Sequence, residues 1–346
     1  MTAGVAVIGA GAWGTALAVQ ATRAGHAPRL WVFEPELLAR IRETRENPWY
    51  LPGVRLPEAV TPVGTLAEAA AGAELLVVAV PSHVFRPVVV ELAPHLGRSA
   101  RVLSATKGIE EGRLARMSEI LAEHLPEPSR GRIAVLSGPT FALEVAEARP
   151  TAAVLASTDA AVARELQGML ATPTFRLYTQ TDVIGVELGG ALKNVMAIAA
   201  GIADGLGLGA NARAALLTRG LAEMARLGVA LGARARTFAG LAGLGDLILT
   251  CTGELSRNRR LGLALAQGTS LDAWQAGTRS VAEGVRTARA ALGLAMMAGV
   301  PAPIIAEVGA VLFEGKPARE ALLALLSREV RPEEEPEDLV SPPAPA

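Results

Sequence analysis

The fold is decided by the stretch Val5-Ala6-Val7-Ile8-Gly9-Ala10-Gly11-Ala12-Trp13-Gly14-Thr15. Four apolar residues without alternation suit a strand covered on both faces. A glycine turn follows at once, and Thr15 to Ala24 continues as a helix. In this frame Gly9 permits the tight turn, Gly11 lets the backbone approach a pyrophosphate, and Gly14 allows close packing of strand on helix. The helix N-terminus offers unpaired N–H groups and a favourable dipole to phosphate. An isolated Gly-x-Gly-x-x-Gly is a weak signal. The strand–turn–helix context, with Glu34 placed 20 positions beyond Gly14, makes it a dinucleotide-binding fingerprint. A carboxylate at the end of the second strand accepts from the adenosine ribose hydroxyls and repels a 2′-phosphate, so Glu34 predicts NAD over NADP. An ordinary solvated glutamate beside Pro35 and Glu36 is the competing account.

Outward from this stretch, apolar runs recur at Arg29–Phe33, Leu75–Val80, Arg101–Ala105 and Ile133–Ser137. The intervals are long enough for crossover helices, which predicts an α/β, Rossmann-type doubly wound parallel sheet. Val154–Ala156 and Phe175–Tyr178 are expected to add strands at the far edge. After Thr181 the strand-like runs stop and apolar residues take helical spacing, as in Leu216, Leu217, Gly220, Leu221 and Met224. Breaks are expected at 205–211 and 240–245. The predicted organisation is a dinucleotide-binding domain over 1–180, an all-α substrate and catalytic domain over 181–330, and an acidic, proline-rich tail over 331–346 with little to bury.

A formal net charge of −1 over 346 residues provides no basic field for nucleic acid. One cysteine, Cys251, excludes an internal disulfide framework. The four histidines, His26, His83, His95 and His124, show no ligand spacing, so no metal site is expected. No Lys or Arg precedes Val5 and the alanine-rich stretches are interrupted by Gly, Arg or Glu, so a cytoplasmic chain without a membrane span is expected. Only three of the 33 basic residues are lysines: Lys107, Lys193 and Lys316. An ammonium can lose its proton when desolvated, whereas a guanidinium effectively cannot.

Four strings carry a further signal. They are Ala105-Thr106-Lys107-Gly108, Ser137-Gly138-Pro139-Thr140-Phe141-Ala142, Glu187-Leu188-Gly189-Gly190-Ala191-Leu192-Lys193-Asn194-Val195, and Ala242-Gly243-Leu244-Gly245-Asp246-Leu247 followed by Thr250-Cys251-Thr252 and Ser256-Arg257-Asn258-Arg259-Arg260. In this order and spacing the chain resembles the bacterial NAD(P)-dependent glycerol-3-phosphate dehydrogenases over residues 4–328. The resemblance implies reduction of dihydroxyacetone phosphate to sn-glycerol 3-phosphate, a precursor of glycerophospholipids, in a cleft between a Rossmann domain and a helical domain. It places the proton acceptor on Lys193 and a companion lysine, touching both cofactor and substrate, on Lys107. It places further substrate contacts on Gly138, Thr140, Asp246, Ser256, Arg257 and Asn258. Cofactor contacts fall on Ala12, Trp13, Phe33, Glu34, Ala142, Arg257, Val281 and Glu283, beside the glycines 9, 11 and 14. Many relatives carry a basic residue at Phe33-Glu34, so the cofactor is expected to be NAD, with NADP also admitted. A homodimer is implied as well.

Hydride reduction of a ketone develops negative charge on the carbonyl oxygen and requires a proton donor or a positive field. An amine whose pKa is lowered by burial and a nearby cation can serve in both directions. These requirements assign Lys193 as general acid/base, Lys107 as electrophilic support and Asp246 as the orienting carboxylate. Ser256-Arg257-Asn258 supplies a hydroxyl, a guanidinium fork and an amide at a helix start, suited to a phosphate. Cys251 reads as structural and Lys316 as a surface charge. Two alternatives stay open at this point: a related two-domain dehydrogenase acting on a hydroxy or sugar acid, and a redox sensor that binds NAD without turnover.

Overall fold

The computed structural model describes residues 4–97, 100–277 and 282–329. Among these residues the ten strands are β1 Val5–Ile8, β2 Arg29–Trp31, β3 Glu46–Asn47, β4 Leu51–Arg55, β5 Thr61–Val63, β6 Leu75–Val78, β7 Arg101–Ser104, β8 Ile133–Ser137, β9 Thr151–Ala156 and β10 Phe175–Gln180. Eight of them form one sheet in the order β10-β9-β8-β7-β6-β1-β2-β5. The central strands are apolar because both faces are covered: every residue of β1 and of β6 is buried. β1 lies between β2 and β6, the point at which the strand order reverses, so its carboxyl end delivers the glycine turn to the ligand crevice of an open α/β sheet.

Three runs are shorter than expected, because the chain leaves the sheet at Trp31, Val78 and Ser104 to form the loops at its carboxyl edge. The sheet is parallel except at β8–β9, which pair antiparallel, so β9 and β10 run against the other strands. The interval from Phe33 to Leu75, which offers a crossover by length alone, also holds β5 and the antiparallel pair β3–β4. Pro62 in β5 and Pro52 in β4 mask these strands in the sequence, since proline is confined to edges and irregular pairs.

The chain forms two compact units. Among the described residues, one takes those up to Thr106 and Met117–Val183; the other takes Lys107–Arg116 and those from Ile184 onward. Each has its own core, one around the sheet and one around the helix Val183–Gly205. The tail expected over 331–346 lies outside the described residues.

The helix Val183–Gly205 ends where the break at 205–211 is expected, and the next helix starts at Gly209. The first of the two runs unbroken for 23 residues and is apolar enough to cross a membrane, yet 94% of its most apolar window is buried inside the protein. It is the hub of the second core, and its burial depends on small residues. A Cβ on Gly201 would run into the Arg259 carbonyl oxygen, and one on Gly262 into that of Ile198. The two glycines face each other where this helix meets the helix Arg257–Ala266, so the backbones touch directly. Substitution of Gly262 by Ala should therefore cost about 1–3 kcal/mol through overpacking. Denaturant unfolding followed by circular dichroism measures this, and unchanged stability would show that the helices can separate without loss.

Candidate active site

The glycine strings around the lysines have a common cause. Asp246 opens the helix Asp246–Thr252 directly after one turn of π-helix, Leu241–Gly245, closed by the Gly245 N–H donating to the Gly240 carbonyl at 3.1 Å. The break expected at 240–245 is thus a wide helical turn, of the kind that recurs at functional sites. A Cβ on Gly189 would lie 2.6 Å from the Ala242 carbonyl oxygen, and one on Gly243 would strike that of Phe238. Glycine at 189 lets the Lys193-bearing helix sit against the turn that presents Asp246, and glycine at 243 lets that turn close on the Phe238 backbone.

There the three residues expected to carry the chemistry meet. Lys107 Nζ donates to Asp246 Oδ2 at 2.7 Å, and Lys193 Nζ donates to Asp246 Oδ1 at 2.9 Å. Lys193 Nζ also donates to Thr250 Oγ1 at 2.7 Å, and the Thr250 hydroxyl donates to the Asp246 carbonyl at 2.6 Å. Asp246 is 1% exposed and Lys193 7%. Burial pushes the Lys107 amine down to about 8, Lys193 adds to that effect, and Asp246 opposes it. Burial alone would raise the Asp246 carboxyl, but the two ammoniums outweigh it and hold the pKa below the usual carboxylate range. Two ammoniums on one carboxylate leave a formal charge of +1 in a desolvated setting, which favours an anion or a developing oxyanion. Cys251, in the same helix, is fully buried, and burial pushes its thiol up to about 12, which keeps it unreactive.

Lys107 reaches Asp246 because its segment belongs to the second unit. β7 ends at Ser104, and residues Lys107–Arg116 are held among the helices by ion pairs. Arg116 bonds Glu187 at 2.7 Å and Arg286 bonds Glu111 at 3.1 Å. The Asn194 amide donates to the Lys107 carbonyl at 3.4 Å and accepts from Asn258 at 2.9 Å. The Asn258 oxygen in turn accepts from the Gly284 N–H at 3.0 Å.

The remaining expected residues fall in two groups. Ser256 N-caps the helix Arg257–Ala266, its Oγ accepting from the Arg259 N–H at 3.2 Å. Arg257 beside it is exposed, and Asn258 is buried in the network just described. Glu283 opens the helix Glu283–Ala298. Val281 lies outside the described residues. The other group belongs to the first unit. Gly138 follows β8 with φ +134°, Thr140 Oγ1 donates to its carbonyl at 3.1 Å, and Ala142 opens the helix Ala142–Ala146. Phe33 is 73% exposed and edge-on to Trp31, and Glu34 precedes the helix Pro35–Thr44.

The glycine turn fits a dinucleotide. Gly9 has φ +111°, a conformation that L side chains rarely adopt. A Cβ on Gly14 would strike the Gly9 carbonyl oxygen, whereas beside Gly11 there is open space. The helix Ala12–Arg23 has no side-chain cap at its N-terminus. Trp13 Nε1 is buried without a hydrogen-bond partner among the described residues. Unspent donors around an open glycine are what a pyrophosphate requires.

Four participants were not singled out from sequence: Thr250, Asn194, Arg116 and Glu187. Asp246 and Thr250 stand four apart on one helix, a spacing that places both on one face. Nothing in the sequence marks the Arg116–Glu187 pair, 71 residues apart.

The family model for the N-terminus of NAD-dependent glycerol-3-phosphate dehydrogenase matches residues 4–163, and the one for its C-terminus matches residues 182–323. A Geobacter sp. (strain M21) glycerol-3-phosphate dehydrogenase [NAD(P)+] is 52% identical over 329 residues, covering 95% of this chain and 98% of its own. The Geobacter sulfurreducens protein of that name is 52% identical over 333 residues, covering 96% and 99%. The crystal structure of glycerol-3-phosphate dehydrogenase from Coxiella burnetii superposes with a TM-score of 0.89 at 39% identity, covering 94% of this chain and 99% of its own.

Removing the shared carboxylate tests the electrostatics. Asp246→Asn should destabilise the protein by roughly 3–5 kcal/mol, the cost of leaving buried charge unpaired. Without the anion the folded-state Lys107 pKa drops further below its unfolded value, so the folded variant sheds its proton at lower pH than the wild type. The deficit should therefore be larger at pH 6 than at pH 9. Urea unfolding at both pH values measures it; equal deficits would show that the lysines are not the charged partners of Asp246.

Proposed function

Because this chain belongs to the NAD-dependent glycerol-3-phosphate dehydrogenase family, we propose that the Lys107–Asp246–Lys193 cluster is the centre at which it reduces dihydroxyacetone phosphate to sn-glycerol 3-phosphate. The chain is an NAD(P)-dependent oxidoreductase. The observation that carries the assignment of the centre is the pair of buried amines on one buried carboxylate. A hydroxy-acid enzyme and a sensor without turnover, both open from the residues alone, are set aside by family membership.

A reduced nicotinamide, when held by the glycine turn, would supply hydride to the substrate's carbonyl carbon. As that bond forms, the carbonyl electron pair moves onto oxygen and needs a proton. Lys193 gives it and is reprotonated from solvent before the next turnover; in the reverse direction the same amine takes the hydroxyl proton. Asp246 and Thr250 hold the Lys193 amine in one orientation, each accepting from it at a fixed distance. Lys107, charged below about pH 8, adds positive field at the developing oxyanion. Ser256, Arg257 and Asn258 at the start of their helix are the phosphate-binding group, with Arg257 the exposed guanidinium fork. Gly138 and Thr140 complete the substrate contacts.

For the cofactor, the turn Gly9–Gly14 with Ala12 and Trp13 takes the pyrophosphate, and Phe33, Lys107, Ala142, Arg257 and Glu283 supply further contacts. Glu34 selects NAD over NADP. Its support is its place after β2 and the exposed Phe33 beside it. A cytoplasmic homodimer fits the bacterial relatives and the exposed apolar side chains Met296 and Met297.

Two variants separate the lysines. Lys193→Ala should lower kcat by roughly 10²–10⁴-fold, the usual contribution of a general acid, while calorimetric binding of NADH persists. Loss of turnover and binding together would point to a folding role instead. For the wild type, kcat/KM for reduction should fall as pH rises through about 8, since this parameter reports the free enzyme. Lys107→Arg keeps its charge across that range, so the alkaline limb should move up even though the absolute rate drops. An unmoved limb in a pH series of NADH absorbance would overturn the role of Lys107.

A further inference from the structure

The antiparallel pair β3–β4 is fastened to the cofactor-binding turn by one buried side chain. Asn47 is fully buried, and its Nδ2 donates to the Ala10 carbonyl at 2.7 Å and to Thr15 Oγ1 at 2.8 Å. Its Oδ1 accepts from the Tyr50 N–H at 3.1 Å. Leu51, Val54 and Leu56 pack into the first core and anchor the same segment. Tyr50 is therefore held in register with the glycine turn. Its hydroxyl donates to Glu34 Oε1 at 2.7 Å. Glu34 occupies the N-cap position of the helix Pro35–Thr44, yet its side chain makes no cap hydrogen bond. The carboxylate is spent on Tyr50 through one oxygen, and the other makes no hydrogen bond among the described residues.

We propose that Tyr50 is a positioning residue for cofactor selection: its hydroxyl fixes the Glu34 carboxylate in the orientation that accepts an unphosphorylated adenosine ribose and repels a 2′-phosphate. The proposal rests on the reading of Glu34 given above. A phenol donating to one oxygen removes the side-chain freedom that a partly exposed glutamate otherwise has, and leaves the second oxygen as acceptor for a ribose hydroxyl. Because the same segment grips Ala10 and Thr15, the distance between the pyrophosphate turn and the ribose carboxylate is set by one continuous chain of hydrogen bonds. Without the phenol the carboxylate can turn into solvent. Attraction for the ribose and repulsion of the 2′-phosphate then weaken together.

The test is isothermal titration of NADH and NADPH into the wild type, Tyr50→Phe, Glu34→Gln and the double variant, with thermal melts to confirm folding. The expected result is a drop in the NADH-over-NADPH preference of about tenfold in Tyr50→Phe, the scale of a hydrogen bond to a charged group. A comparable drop is expected in Glu34→Gln, with little further change in the double variant. A purely structural role for Tyr50 would weaken both cofactors alike and leave the ratio in place, which overturns the proposal. So does a Tyr50→Phe effect that persists in full on the Glu34→Gln background, since Tyr50 would then act directly. If Glu34→Gln alone leaves the ratio unchanged, the reading of Glu34 fails and the proposal falls with it; a changed ratio in Glu34→Gln beside an unchanged one in Tyr50→Phe refutes the proposal alone.

Discussion

Two ammonium groups share one carboxylate that is almost wholly removed from water, and the second unit is arranged around that fact. Desolvating an ion is costly, and a buried charge persists only when its lone pairs and protons are matched. Asp246 meets this condition: one oxygen takes Lys107 and the other takes Lys193. Thr250 ties the second amine to the helix backbone. The surplus of one positive charge is a cost in the resting protein and an asset to a reaction that builds charge on oxygen.

Such a cluster demands that three segments far apart in sequence come within hydrogen-bond distance. Glycine makes two of the approaches: Gly189 lets the Lys193 helix meet the π-helical turn before Asp246, and Gly201 and Gly262 let it meet the helix bearing Asn258. Ion pairs make the third, holding Lys107–Arg116 among the helices. Lys316, the remaining lysine, pairs with Glu307 at 2.6 Å and takes no part. An isolated pair of that kind contributes little to stability.

The strands β1, β6, β7 and β8 were legible because uninterrupted apolar runs have few other uses in a chain of this composition. The pair β3–β4 was not, because Pro48, Pro52 and Gly53 are loop signals and only Asn47 and the first core make a strand pair of them. The 23-residue apolar helix shows the same limit from the other side. Its composition suits a membrane as well as a protein core, and packing alone assigns it to the core. At the site, Lys107, Lys193 and Asp246 could be picked out as candidates from residue type and local strings, but Thr250 and Asn194 only through their contacts.

By itself the sequence determined the apolar strands of the main sheet and the change to helices after Thr181, the glycine turn, and which ionisable side chains stand in apolar strings, since these depend on local pattern and composition. Tertiary structure alone decided that Lys107 leaves the sheet unit to join Asp246, that Asp246 is shared, and that Tyr50 holds Glu34. The physical reason is range. Periodicity and turn chemistry act over a few residues, whereas a hydrogen bond between side chains 139 positions apart exists only once the backbone has brought them together.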